Sequence, residues 1–264
     1  MQNGGERGLP FLSAIHYPSR MDHSAFLERM QAHFQQALEY RHTPGADPLR
    51  LERRISLRRW QAARLMQTYA DLIKQPRFQK ATVFFFSDLY GAGDSSIRDA
   101  QLSRALPTMI KLMPAKTLEP LALALEVDAL SERLDAALAD ELFPKSSTSA
   151  AIDPPSYATA YRTSANRAER VHQIDLLVDV GLALDRIASS PLVVAAVTMM
   201  RAPAKKAGFD ALQSFLDRGL TAFRAMHGAA DFLDTIRSRE MRIATRLFER
   251  HDAPFDLDDP IAER

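Results

Sequence analysis

Residues 82–99 read TVFFFSDLYGAGDSSIRD, and the fold turns on how this stretch is interpreted. Phe84, Phe85 and Phe86 stand together, followed by Asp88, Tyr90, two nearby glycines and the pair Arg98-Asp99. On propensity alone the aromatic run fits a buried strand. Its neighbours decide otherwise: segments of helical period flank it on both sides, and no strand partner lies nearby, so a helix is expected. Successive helical side chains point about 100° apart. Three consecutive phenylalanines therefore face most of the circumference, and a helix that is apolar all round lies inside its bundle.

Upstream, Phe26, Met30, Phe34 and Leu38 recur at spacing four, a helical stripe that begins at Ser19 and stops at the breaker HTPGADP. Asp47-Pro48 is an N-cap and first-turn pair for a second helix reaching Lys74, and Pro76 restarts the chain. Downstream, Gly91 is expected to end the aromatic helix, and Asp94 or Ser95 to cap the next, with Leu102, Leu106, Met109 and Ile110 inward. Leu123, Val127, Leu130 and Leu134 mark another helix beyond Pro114. A helix is expected from about Ser156 to Ala188, and three more from PLVVAAVTMMR, FDALQSFLDRGLTAFRAM and DFLDTIRSREMRIATRLFER. The expected architecture is all-α, a compact multi-helix bundle of roughly eight or nine helices. Residues 1–18 are expected as an irregular arm and 19–251 as a single helical domain. Within it a Ser/Pro-rich loop falls near 143–160, and 252–264 form a flexible tail.

The totals exclude several kinds of function. The chain has 264 residues, of which 34 are Lys or Arg and 33 Asp or Glu, so no global field draws nucleic acid or an anionic membrane. With no cysteine there is no disulfide, thiolate metal site or cysteine nucleophile. PLVVAAVTMM, the longest apolar stretch, is about half a membrane span, and the first twenty residues lack a signal-like apolar core. A cytoplasmic location with no membrane partner is expected. No Gly-x-Ser-x-Gly elbow occurs, and GAGD lacks the Lys-Ser/Thr of a phosphate loop.

Residues 60–114, from WQAARLMQTYADLIK through FFFSDLYGAGDSSIRD to KLMP, resemble an uncharacterised family of bacterial helical proteins, a domain of unknown function. The shared pattern is Tyr-Ala-Asp-Leu at Tyr69 to Leu72, then Phe-Phe-x-x-Asp-Leu-Tyr-Gly ending at Gly91. Arg98-Asp99 and Met113-Pro114 follow, the last with Met in place of Leu. MRAPAKKAGFDALQSFLDRGLTAF is similar to the family's second half, so the likeness spans roughly 50–240. Where the family carries Pro after the last Gly of its motif, this chain has Ala92. The resemblance implies an all-helical bacterial protein and no activity.

The candidate site follows from the aromatic helix. If it is central, Asp88 and Tyr90 are drawn in with it, and a buried carboxylate needs a partner such as Arg98 or Tyr69. Tyr69, Asp88, Tyr90, Arg98, Asp99 and Arg201 then form a ligand-binding pocket. Alternatively the acids serve helix N-termini and Arg201 a helix C-terminus. Glu39/His42 and Glu169/His172 have the Glu-x-x-His spacing of di-metal carboxylate proteins. His42 precedes a breaker and Glu169 sits between Arg167 and Arg170, so no metal or other cofactor is assigned. Arg50, Arg53, Arg54, Arg58, Arg59 and Arg64 crowd one helix. They either take phosphates or an acidic partner, or meet acids on neighbouring helices around Glu132 and Asp135. The leading expectation is a protein that binds a partner or a small molecule without catalysis. The alternatives are an enzyme with a buried polar inter-helix site, in one form a carboxylate/His metal site, and nucleic-acid binding through the arginine helix.

Overall fold

A computed structural model describes residues 20–42, 48–89, 95–143 and 151–258, and among these every regular element is helical. The helices are α1 (Arg20–His42), α2 (Pro48–Thr68), α3 (Ala70–Lys74), α4 (Pro76–Phe84), a π-helical turn (Phe85–Leu89), α5 (Ser96–Leu112) and α6 (Ala115–Leu142). After these come α7 (Pro154–Ser164), α8 (Arg167–Ala188), α9 (Pro191–Met199), α10 (Arg201–Lys206), α11 (Asp210–Met226) and α12 (Ala230–Phe248). The segments outnumber the eight or nine expected because two predicted helices are broken and a further short helix, α10, forms over Arg201–Lys206. The 48–74 helix turns at Tyr69, whose φ of −115° and ψ of 21° leave the helical region. The 156–188 helix breaks before Asn166, whose side chain accepts the Glu169 N–H at 2.9 Å and starts α8. Inside the loop expected at 143–160, a capping box between Asp153 and Ser156 already starts α7.

The aromatic run is helical, and its three rings are all buried. Phe84 packs on Phe215 at 5.4 Å between centroids, Phe85 on Phe232 at 5.6 Å and Phe223 at 6.1 Å, and Phe86 on Tyr69 at 5.2 Å. α11, α12 and the α2–α3 junction thus surround this segment, each ring contributing about 1.5–3 kcal/mol by burial. Gly219 lets α11 approach, since a Cβ there would stand 3.0 Å from Phe84 Cζ. Val83, on the remaining side, is exposed.

The 28-residue α6 is the spine. Its first half packs with α1 and α5 around Met30, Phe34, Leu106 and Leu118. Its second half packs with α2, α7 and α12 around Leu57, Leu138, Tyr157 and Leu247. Val127 meets Leu176 and Val180 of α8. Residues 252–258, within the expected tail, lie against this second core: Phe255 packs on Trp60 at 5.7 Å and on Tyr157 at 5.9 Å. Among the described residues no single helix is long and apolar enough to cross a membrane.

Candidate functional site

The five described members of the expected pocket do not share one cavity, and Tyr90 lies outside the described residues. Asp88 accepts from Arg218 at 2.9 and 2.5 Å, and its carbonyl accepts from Arg98 at 3.3 Å. The Arg98 guanidinium lies 4.6 Å from the Phe215 ring centroid. Asp88 and Asp217 line one groove of about 460 Å³ between α4 and α11, with Val83, Phe84 and Arg218. Arg201 reaches the groove's edge only through Asp217, which it clasps at 2.8 and 3.1 Å. Tyr69 is elsewhere: fully buried, it donates to Glu240 at 2.9 Å, and Glu240 also accepts from Arg64 at 2.7 Å. Burial and the Glu240 charge push the Tyr69 phenol well above its ordinary pKa, so it stays a donor.

Asp99, in the first turn of α5, belongs to a different cluster. It accepts from Arg41 at 2.5 Å and from Ser95 at 3.0 Å. Arg41, in the last turn of α1, also clasps Asp128 at 2.6 and 2.7 Å and reaches Glu132 at 3.0 Å, both on α6. Glu132 in turn accepts from Arg54 and Arg58 of α2. Three guanidiniums and three carboxylates thus interlock four helices in a mostly buried seam. Gln61 donates to Asp135 at 3.1 Å, Arg64 pairs with Glu240, and Arg50 stands 3.5 Å from Asp140. Arg50, Arg54, Arg58 and Arg64 therefore meet acids on neighbouring helices, around Glu132 as one reading of the sequence expects. Arg54 is buried rather than solvated.

The charges tune one another. Burial alone would lower the Arg41 pKa, but Asp128, Glu132 and Asp99 more than reverse this and hold it cationic. Burial would raise Glu132, yet Arg58, Arg41 and Arg54 together hold it below the ordinary glutamate range. For Arg54 burial wins, and its pKa is lowered despite Glu132. Arg41 had a signal in the sequence: it lies four residues after Ala37 and seven after Phe34, both fully buried, so a charge falls on the inward stripe.

Beside this seam, α1, α2 and α6 leave a cleft of about 360 Å³ lined by Gln36, Glu39, Tyr40, Arg50, Arg53, Arg54, Ala136, Ala139 and Asp140. That volume is in the range of small-molecule sites. Arg54 Nε is buried and has no hydrogen-bond partner. A guanidinium N–H left so costs free energy unless a ligand or water takes it.

Among the described residues no group of three His, Asp or Glu side chains is placed to hold a metal ion. Glu169 is paired with Arg133 at 2.6 Å, and His172 stands 3.6 Å from Glu126. The side chain of His42 lies outside the described residues. No curated protein and no solved structure matches the chain. A family model described as a domain of unknown function matches residues 40–254, which takes in the aromatic helix, the arginine seam and most of the cleft, and the chain belongs to that family, DUF8198.

Proposed function

We propose that this protein acts by binding, and that its ligand is a small oxyanion, a phosphate ester or carboxylate, held in the cleft between α1, α2 and α6. The observation that carries this reading is Arg54: a buried guanidinium on the cleft wall whose Nε has no acceptor. Arginine forks match carboxylate and phosphate oxygens two at a time. Arg50 and Arg53 line the same cleft, while Gln36 and Tyr40 supply polar groups for the ligand's body and Ala136 and Ala139 an apolar floor. Glu39 and Asp140 also line it, which favours a ligand with hydroxyl or amino groups beside its anionic end.

Isothermal titration with inorganic phosphate, glycerol phosphate and citrate tests the reading. Saturable binding of at least one is expected, weakened about tenfold by Arg50→Ala, the loss of one charge-assisted contact. Arg50 is largely exposed, so this variant keeps the fold. No binding by any of the three, or binding indifferent to Arg50→Ala and Arg54→Gln, overturns it.

A further inference from the structure

The most apolar of the described helices lies at the surface. α9 reads PLVVAAVTM, and none of its residues is buried. Leu192 is 79% exposed, Met199 73% and the adjoining Met200 53%. Contiguous apolar surface of this kind on a folded protein marks a contact site. Its flank is one-sided in charge. Residues 191–206 contain Arg201, Lys205 and Lys206 and no Asp or Glu. Lys205 and Lys206 are exposed and make no ion pair among the described residues, whereas Arg201 is tied to Asp217. α9 and α10 leave the axis of α8 at an angle of 83°, so they run across the end of that helix rather than prolonging it.

We propose that α9 and α10 form a docking face for an anionic lipid surface, independently of the anion cleft. An apolar helix body continuous with a cationic end is what an interfacial helix presents: the apolar side chains enter the headgroup boundary and the lysines meet lipid phosphates. The alternative occupant is a second copy of the chain, and the charges disfavour it. Antiparallel pairing about a twofold axis sets Arg201, Lys205 and Lys206 against the other copy's α9 N-terminus. That end already carries a positive helix dipole, and residues 186–200 contain no Asp or Glu. Net charge near zero hides this patch, because the balance is global and the cations are local.

Co-sedimentation of the full chain with vesicles tests the assignment. Binding is expected to phosphatidylcholine vesicles containing phosphatidylserine and to fall sharply with salt, with little binding to phosphatidylcholine alone. Leu192→Glu combined with Met199→Glu, and separately Lys205→Glu combined with Lys206→Glu, each lower the bound fraction by roughly tenfold or more. These side chains are exposed, so an unchanged thermal midpoint accompanies the loss. Absence of binding to the mixed vesicles, or binding that both double variants retain, overturns the proposal. So does concentration-dependent self-association that Leu192→Glu abolishes, with no lipid binding, since the face then belongs to a second copy.

Discussion

Arg41 Nε stands 3.0 Å from Glu132 Oε1, joining the last turn of α1 to the middle of α6 across 91 residues of sequence. The same carboxylate accepts from Arg54 and Arg58, so a single glutamate holds α2 and α1 against the spine helix. Removing one partner of such a buried cluster costs more than the cluster's net contribution, because the survivors keep their charge without an answer. Glu132→Ala is expected to lower unfolding stability by about 3–5 kcal/mol in urea titrations.

That carboxylate also predicts a pH dependence. Glu132 is held below the ordinary glutamate range, so its contribution is fully present above the unfolded-state value of about 4.3 and is lost as pH falls through the lower folded value. Asp135 works in the opposite sense: burial raises its pKa, so its effect favours the folded state at low pH and fades as pH rises. Comparing wild type with Glu132→Gln isolates the first term. The stability gap between them is expected to be widest above about pH 5 and to narrow steadily on acidification.

Tyr69 closes a smaller buried set with Glu240 and Arg64. Tyr69→Phe removes one hydrogen bond to a charged acceptor and leaves the ion pair in place. The expected loss is about 1.5–3 kcal/mol, read from denaturant midpoints at constant m-value.

The aromatic segment gives a sharp contrast between neighbours. Phe85→Ala empties a site between Phe223 and Phe232 and is expected to cost about 3–5 kcal/mol. Val83→Ala, two residues earlier on the exposed side, is expected to stay within about 0.5 kcal/mol. A close helix approach elsewhere gives a matching test: Gly181→Ala sets a Cβ into buried Leu233 where α8 meets α12. This overlap is expected to outweigh alanine's helix preference and cost about 1–3 kcal/mol.

The contrast between these sites explains what was legible in the sequence. Phe84–Phe86 announce a central helix because period and apolarity are local properties, and the structure buries all three rings. The turns at Tyr69 and before Asn166 were not legible. The first leaves the helical region at a residue fixed by Glu240, 171 positions away, and the second depends on one asparagine amid helix-forming residues. The site divides in the same way. Asp88 and Arg98 are ten residues apart and meet only through the Asp88 carbonyl; the Asp88 carboxylate turns to Arg218, and Asp99, Tyr69 and Arg201 likewise each turn to a partner that no spacing rule links to them. The arginine stripe of α2 points to acids around Glu132, where Arg54 lies, whereas Arg41 acquires its role from α6 and only its place on the inward stripe of α1 hints at it.

The most direct test of the anion cleft is to watch the Arg54 Nε–H itself. Proton–nitrogen correlation spectra of arginine side chains, recorded while the best-binding of phosphate, glycerol phosphate and citrate is added, resolve each buried Nε–H separately. A new acceptor at the cleft predicts a saturable downfield shift of the Arg54 resonance with the Arg64 resonance, about 15 Å further along α2 and paired with Glu240, unmoved. An Arg54 signal that stays still while the anion binds, or arginine signals that all drift together without saturating, contradicts the account.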